Sequence, residues 1–260
     1  MPGTFIQSAI AQTTVNGTGQ NLTIGPLTVT LGNQLILWLV CNDATSAALS
    51  AGGNTLLNAG IESPAFGGSN IFGYYCNITT GGAISVTRTG GDILAGYLAE
   101  YSGLNASGSL AGAFTTNPQA GGPGTGTDAV TSGAVSVTAP CMQFGMTSDS
   151  GGTSNPNSAS NTGTISAGTG WTNRGNWVDS AAVAVSRFEE LRSTSSGSHA
   201  ATFTLTGNKQ FADLHSASFA LPEAITSTTI TPNAGALAMS GNATADSTNF
   251  KIVTQTAISI

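Results

Sequence analysis

The stretch that decides the fold is Asn70–Leu104, which reads NIFGYYCNITTGGAISVTRTGGDILAGYLAEYSGL. It contains three segments rich in apolar, β-branched and aromatic residues, separated by the glycine pairs Gly81-Gly82 and Gly90-Gly91. Short strands punctuated by glycine turns are typical of antiparallel hairpins. The stretch therefore predicts three consecutive antiparallel strands arranged as a meander.

The same pattern occurs a second time in Val183–Pro222, with strand, small-residue turn, strand, short turn and strand in that order. Upstream segments also match in pairs, residues 32–43 (GNQLILWLVCND) with 136–150 (SVTAPCMQFGMTSDS) and 53–60 (GNTLLNAG) with 168–175 (GTGWTNRG). Such recurrence indicates one β unit present twice. We therefore predict an all-β protein, a β-sandwich of jelly-roll or Greek-key type built from two similar strand sets.

The predicted organisation is a sandwich over residues 1–222, with halves at about 5–104 and 134–222, a crossover at 105–133 and a C-terminal arm at 223–260. Within the crossover, Asn117–Gly126 (NPQAGGPGTG) is expected to hold no strand ladder, because proline lacks a backbone donor and glycine resists ordering. The arm contains strand-like sequence but few residues for a core of its own. It is expected to add to the main sandwich or to pair with another chain.

Two segments need a separate interpretation. Leu35–Cys41 (LILWLVC) is apolar on both faces, which indicates a central strand covered on two sides or an edge strand that meets a partner. Arg187–Arg192 (RFEELR) has the spacing of a helical ion pair. Because it occupies the place of Tyr74–Ile78 in the first copy, we predict a strand.

Composition narrows the classes of function. Only 7% of residues are charged, against roughly a quarter in ordinary domains, and the net charge is −6. Nucleic acids and anionic membranes are bound through clustered Lys and Arg, which this chain lacks. The N-terminal MPGTFIQSAIAQTTVNG has neither a basic region nor an apolar run, so no secretory signal is expected. A surface of hydroxyls and amides made in the cytoplasm fits incorporation into a virus particle; an extracellular or cell-surface location is the alternative.

The three cysteines are Cys41, Cys76 and Cys141, and Cys41 and Cys141 occupy matching places in the two copies. An odd number without CxxC spacing favours buried reduced thiols that act as small hydrophobic residues. A Cys41–Cys76 disulfide is the alternative.

Catalytic patterns are weak. Glu189 and Glu190 are adjacent, so on a strand they face opposite sides and form no acid/base pair. Glu100 has no identifiable carboxylate partner at the separation that glycoside hydrolysis requires. The motifs GxSxG, HExxH and CxxC are absent from the sequence. We therefore predict no enzyme.

Metal and cofactor sites are predicted to be absent as well. His199 and His215 are far apart in sequence, and neither has a second ligand at metal-binding spacing. Asp149 lies in a Ser- and Asn-rich loop whose oxygens could take part in calcium binding, but a single carboxylate is a thin basis.

A carbohydrate site is the one binding candidate. Trp171, Arg174, Trp177 and Asp179 lie in GTGWTNRGNWVD. Exposed, the two tryptophans would form a platform for stacking sugars; buried, they would anchor the core of the second copy. Both interpretations stay open at this point.

The motif order GNxLxLxL, GNxLxxAG, YYxNIxxGxxxxxVT, LAEYSGL, AGTGWTNR and GSHAATFTLTG resembles a β-sandwich domain of tailed-phage virion proteins, also found in bacterial surface proteins. The matching residues are Gly32-Asn33, Gly53-Asn54, Tyr75–Ile78, Glu100–Leu104, Ala167–Arg174 and Gly197–Gly207. The C-terminal Thr231–Ala243 is similar to a segment near the ends of phage structural proteins. The resemblance implies a particle setting and carries no catalytic residues.

These observations lead to one expectation and two rivals. We expect a structural protein of a bacteriophage particle, first a capsid decoration or cement protein and next a fibre or tail-surface protein. Its partners would be the major capsid protein or other virion proteins, and copies of itself, with a trimer favoured. The rivals are a carbohydrate-binding adhesion module and, more weakly, a polysaccharide hydrolase using Glu100 and Glu190.

Overall fold

The computed structural model describes residues 2–12, 21–41, 48–63, 70–89, 93–106, 109–120, 124–138, 140–150, 164–178, 184–209 and 213–224. The chain divides into two units, Met1–Ile225 and Thr226–Ile260. The predicted C-terminal arm lies almost entirely in the second unit, outside the described residues.

The described part is all β, as predicted, and it forms two successive sets of strands. The first repeat contains β1 (Thr4–Gln12), β2 (Leu22–Val29), β3 (Gln34–Cys41), β4 (Ala48–Ser50), β5 (Leu57–Glu62), β6 (Asn70–Asn77), β7 (Gly82–Thr89) and β8 (Ile93–Ser102). The second repeat contains β9 (Gly112–Ala120), β10 (Gly124–Thr131), β11 (Val135–Val137), β12 (Cys141–Ser150), β13 (Thr164–Ala167), β14 (Thr172–Val178), β15 (Ala184–Ser193), β16 (Gly197–His199), β17 (Thr202–Lys209) and β18 (Asp213–Pro222).

Each repeat is a sandwich of a five-stranded inner sheet and a smaller outer sheet. In the first repeat, inner sheet 1 has the order β1-β8-β3-β6-β5 and outer sheet 1 the order β2-β7-β4. In the second, inner sheet 2 has the order β9-β18-β12-β15-β14 and outer sheet 2 the order β10-β17-β13, with the pair β11-β16 beside it. Position by position the two orders are the same, and they place the strands as in a jelly roll.

The register of the strands confirms the internal repeat at single-residue level. Tyr74 pairs with Leu37 on one side and Asn58 on the other, while Glu189 pairs with Gly145 and Asn173. A bulge follows the asparagine in both repeats, within Asn-Ala-Gly in β5 and Asn-Arg-Gly in β14. A β-bulge bends its strand and re-aims the following side chains, so both edges depart from the sheet in the same way.

The two inner sheets pack face to face and share the largest core. Trp38 lies 5.1 Å from Phe219 between ring centroids, and Tyr97 stacks on Phe188 at 4.2 Å. Tyr101 packs edge-on against Phe144 at 5.0 Å. These aromatic pairs join residues of both repeats, which makes the described part a stack of four β layers.

Because inner sheet 1 is covered on both sides, its central strand β3 is apolar on both faces. All eight residues of β3 are buried, with Trp38 facing the shared core and Leu37 facing outer sheet 1. Of the two interpretations of Leu35–Cys41, the central strand is therefore correct. RFEELR belongs to β15, so the strand prediction there is also confirmed.

The predicted meander is wrong, although its three strands exist. β6 pairs with β3 and β5, β8 pairs with β1 and β3, and β7 pairs with β2 and β4 in the other sheet. The reason is burial: β6 is buried on both faces and needs a layer on each side, whereas β7 alternates. The two glycine turns therefore connect strands of inner sheet 1 with β7 of outer sheet 1, and they do not connect neighbouring strands of one sheet.

The prediction that Asn117–Gly126 cannot join a ladder is also wrong. β9 extends to Ala120 and pairs with β18, including Pro118 opposite His215, and β10 starts at Gly124 and pairs with β17. β9 is an edge strand, where a residue without an N–H is tolerated because its other side needs no ladder bond. The segment called a crossover therefore supplies two strands of the second repeat.

The strand register shows that Cys41 and Cys141 do not occupy matching places in the two repeats. Cys41 ends β3 and pairs with Asn70, whereas Cys141 begins β12 and pairs with Ser193 and Pro222. All three cysteines are nevertheless buried and none forms a disulfide, as the favoured interpretation had it.

Candidate functional site

A buried polar cluster joins the two inner sheets near the β1 and β14 edges. Glu190 accepts a hydrogen bond from the Tyr101 hydroxyl at 2.5 Å and forms an ion pair with Arg174. The Arg174 guanidinium lies over the ring of Phe5, 4.3 Å from its centroid. The hydrogen bond from Arg174 to Glu190 raises the pKa of the guanidinium, and burial raises the pKa of Tyr101. The two repeats are therefore joined by the hydrogen bond from Tyr101 to Glu190 and by the contact of Arg174 with Phe5.

Glu189 faces the opposite side of the same sheet, toward outer sheet 2. Its carboxylate accepts the Gly168 backbone N–H at 3.1 Å. Burial raises the pKa of Glu189 to about 8, against the opposing effect of that hydrogen bond and of Arg187. Glu189 and Glu190 thus lie on different faces, as predicted, with different partners.

Glu100 is fully buried between inner sheet 1 and the β2–β3 turn. Its carboxylate accepts hydrogen bonds from Gln7 Nε2 at 2.6 Å, Thr30 N at 2.8 Å and Asn33 Nδ2 at 2.7 Å. Both oxygens are engaged by groups of the fold itself. The arrangement fastens the turn and the edge strand β1 to the sheet, and it leaves the carboxylate without access to a substrate.

A second pair connects the repeats at the other end of the inner sheets. His215 Nε2 lies 3.5 Å from Glu62 Oε2, and both side chains are buried. Within the described residues, no group of three His, Cys, Asp or Glu side chains is placed to hold a metal ion. The side chain of Asp149, the calcium candidate, lies outside the described residues.

Ser193 Oγ lies 3.3 Å from His199 Nε2, a serine–histidine contact. Ser193 is buried and its hydroxyl donates to the Ser195 carbonyl at 2.8 Å. No described carboxylate forms an ion pair with His199. A catalytic serine needs a base that accepts its hydroxyl proton and a third group that orients this base. The Ser193–His199 pair has neither.

Two of the thiols, those of Cys76 and Cys141, are equally unsuited to nucleophilic chemistry. Burial raises the pKa of Cys76 and of Cys141 to about 11, so both are protonated at neutral pH. Cys41 is buried and contacts the Arg88 guanidinium, which itself lies 5.5 Å from the centroid of Phe72. The thiolate is the reactive form of cysteine, and buried structural thiols are inert.

The predicted sugar site is not assembled by the described residues. Trp171 packs against the core beneath outer sheet 2, while Arg174 points between the inner sheets to Glu190. The two side chains therefore lie on opposite faces of inner sheet 2. Asp179 and the side chain of Trp177 lie outside the described residues, so a platform around them stays a prediction.

The ion pairs between residues that are distant in sequence could not be predicted from a local sequence pattern. Arg192 donates to Glu223 at 3.0 Å, and Glu62 meets His215 across the two inner sheets. Each pair combines residues from different elements, so no local spacing marks it. Their scarcity is the only hint, because in a chain with 7% charged residues a charge inside a strand needs a structural reason.

Fold and site together define an all-β protein of two packed jelly-roll-like repeats whose buried carboxylates serve the fold. Comparison of the chain with protein-family models, with curated proteins and with solved structures finds no match. Across the described ranges, no helix has the length and apolar character to cross a membrane.

Proposed function

We propose that the chain is a non-enzymatic structural protein of a bacteriophage particle, a decoration or cement protein on the capsid. The observation that carries the proposal is where the polar groups lie. Glu100, Glu189 and Glu190 are buried in contacts within the fold, and the outward faces of the outer sheets carry exposed threonine hydroxyls. Such a molecule offers surface for contact and little for chemistry.

The outer faces support this in both repeats. Thr23 and Thr87 form a cross-strand hydroxyl pair at 3.2 Å on outer sheet 1, and Thr164 and Thr206 form one at 3.0 Å on outer sheet 2. Short hydroxyl side chains lose little rotamer entropy when another protein covers them, unlike Lys or Glu. Faces of this kind suit a protein that covers a large area of a particle.

The proposed place in a phage particle indicates which partners the chain would bind. The major capsid protein or other virion proteins would bind one face, and copies of the chain would bind each other, with a trimer at a three-fold position. A net charge of −6 with two lysines argues for recognition by shape and hydrogen bonds more than by charge. The protein would act in the virion.

The test uses heads of the phage that encodes the chain, purified from a mutant that lacks it. Purified protein is mixed with these heads over a range of concentrations and the heads are sedimented. Saturable co-sedimentation with a fixed number of copies per head is expected. A chain that stays in the supernatant at every concentration would contradict the proposal.

A further inference from the structure

The four edge strands of the inner sheets differ in how they are protected against added strands. β5 carries a bulge between Asn58 and Gly60 and the inward-pointing Glu62. β9 carries Pro118 and a bulge, and β14 carries a bulge and the inward-pointing Arg174. Bulges, prolines and inward charges are the devices by which proteins prevent edge-to-edge pairing. Three of the four edges are therefore blunted.

β1 carries fewer of these devices, and it exposes apolar side chains. It reads TFIQSAIAQ, without charge or proline, and beyond one bulge at Ile6 its register against β8 is regular from Gln7 to Gln12. Among the described strands β8 is its only ladder partner. Ile6 is 47% exposed and Ile10 is 41% exposed, and they are two of the four large apolar side chains that are exposed among the described residues. An uncharged edge of this length is a template for one more strand.

The described charged side chains that contact β1 are engaged within the fold. Gln7 donates to Glu100, which is fully buried. Arg174 lies over the ring of Phe5 and forms an ion pair with Glu190. In a chain with a net charge of −6, this edge is a place where a second copy can approach without like-charge repulsion. Charge complementarity therefore favours an uncharged strand as the partner, and β1 of a second copy is such a strand.

β1 is also complementary to itself in the antiparallel direction. Ser8 is its central residue, so a two-fold axis at Ser8 pairs all nine residues of β1 with those of a second copy. This register places Ile6 of each copy opposite Ile10 of the other. Both exposed apolar side chains are thereby covered, and no two charges face each other.

The neighbouring edge of inner sheet 2 extends this contact surface. A Cβ on Gly175 of β14 would lie 2.9 Å from Ile10 Cδ1, so β14 runs next to β1 in the adjacent sheet. Asn173 and Asn176 of β14 are exposed. A stable interface buries about 800 Å² per partner, which is more than one strand supplies, and these amides enlarge the contact without adding charge.

We propose that two copies join by antiparallel pairing of β1 with β1 about a two-fold axis at Ser8. The five strands of inner sheet 1 from each copy then form one continuous sheet. Main-chain hydrogen bonds supply the attachment, and the two Ile6–Ile10 pairs supply apolar contact. Alone, this contact makes a dimer; together with a three-fold contact, it links neighbouring trimers. The inference rests on the proposed function in one respect, since it names the surface through which copies of a particle protein join.

The experiment uses the full chain and three single variants, and it measures native mass by light scattering over a range of concentrations. Ile6→Lys and Ile10→Glu each place a charge opposite an isoleucine in both pairs of the contact. Leu31→Lys makes the same kind of change in the β2–β3 turn, where the side chain is 67% exposed, and serves as the matched control.

Ile6→Lys and Ile10→Glu should each raise the dissociation constant of the contact by at least about tenfold and halve the native mass, because a charge loses its hydration opposite an apolar side chain. Leu31→Lys should keep the mass of the parent. A parent that is monomeric throughout, or Ile6→Lys and Ile10→Glu variants that keep the parent's mass, would overturn the inference.

Mixing the two charged variants tests the register and controls for misfolding. In the mixed pair the introduced lysine lies opposite the introduced glutamate, and the two remaining isoleucines lie opposite each other. An equimolar mixture should therefore regain the mass of the parent. Variants that dissociate singly and stay apart when mixed would overturn the pairing about Ser8.

Co-sedimentation with phage heads separates the inference from the proposed function. A parent that pairs through β1 but stays in the supernatant supports the inference and counts against the role on the capsid. A parent that binds heads, with an Ile6→Lys variant of unchanged mass, keeps the proposed function and overturns β1 as the joining surface.

Discussion

The two repeats have the same strand order, but their inner sheets present different residues to the space between the inner and outer sheets. In the first repeat this interlayer is apolar, with Leu37, Phe72 and Ile84 among its buried residues. By register, the positions of Leu35, Leu37 and Leu39 in β3 correspond to Gln143, Gly145 and Thr147 in β12. A leucine row is thus replaced by an amide, a glycine and a hydroxyl.

These polar groups of inner sheet 2 are held by hydrogen bonds, and they lie opposite an apolar cluster of outer sheet 2 formed by Val130, Ile165, Phe203 and Leu205. Gln143 Nε2 donates to the His199 carbonyl at 3.1 Å, and Thr147 Oγ1 donates to the His215 carbonyl at 2.7 Å. Glu189 occupies the position that Tyr74 has in the first repeat. The difference teaches that the jelly-roll order does not depend on one kind of interlayer, because the core shared by the inner sheets supports both repeats.

The largest effect is expected from opening a cavity in the apolar interlayer. Leu37→Ala should destabilise the protein by about 2–5 kcal/mol, because Leu37 is fully buried and the sheets around it collapse only partly. Urea unfolding gives the value, with Leu31→Ala as the exposed control near zero. A loss below about 1 kcal/mol for Leu37→Ala would show that this interlayer contributes little.

The pH dependence of stability should reveal the contribution of Glu189, the buried carboxyl group of the second interlayer. Glu189 keeps its proton up to about pH 8 in the fold, against an ordinary value of 4.5, so the folded state binds the proton more tightly than the unfolded state. Its contribution is therefore most favourable below about pH 4.5 and declines as the pH rises to about 8. Glu189→Gln, which resembles the protonated form, should be more stable than the parent at pH 9, by an amount on the order of a few kcal/mol, and equal to it at pH 4.

Glu223 is the matched control for that experiment. Burial alone would raise its pKa, but hydrogen bonds from Arg192 and from the Gly3 backbone hold the pKa of Glu223 below its ordinary value. Its contribution is present at neutral pH and lost in acid, so Glu223→Gln should cost stability at pH 7 and converge with the parent at low pH. Identical pH profiles for the two variants would contradict the assignment.

Adding volume at the second repeat's counterpart of Leu37 should be unfavourable. A Cβ on Gly145 would lie 2.5 Å from the Ala201 Cβ, and a methyl group cannot rotate away. Gly145→Ala is expected to cost about 1–3 kcal/mol in thermal or urea unfolding. A stabilised variant would mean that the second interlayer has room that the packing does not indicate.

The smallest effect should be the same in both repeats. Thr23→Ala and Thr164→Ala each remove one exposed cross-strand hydroxyl pair, worth about 0.2–1 kcal/mol. Equal small losses would show that the outer faces are alike while the interlayers differ. A loss above about 2 kcal/mol at either site would require contacts beyond the hydroxyl pair.

The sequence predicted the repeat and the class of fold because glycine turns and alternating strands recur at matching places. It failed where burial decides: β6 needs cover on both faces, so the strands of Asn70–Leu104 divide between two sheets. Pro118 led to a wrong prediction because an edge strand tolerates proline, and only the sheet topology shows that β9 is an edge strand. The Tyr101–Glu190 and Glu62–His215 pairs escaped prediction because each depends on how the inner sheets stack.

The central claim is that this doubled sandwich is an assembly protein. Light scattering of the purified full chain at two concentrations measures its native mass directly. We predict an oligomer, a trimer being favoured, at the higher concentration. A monomer that stays monomeric at both concentrations and binds no capsid would contradict the claim.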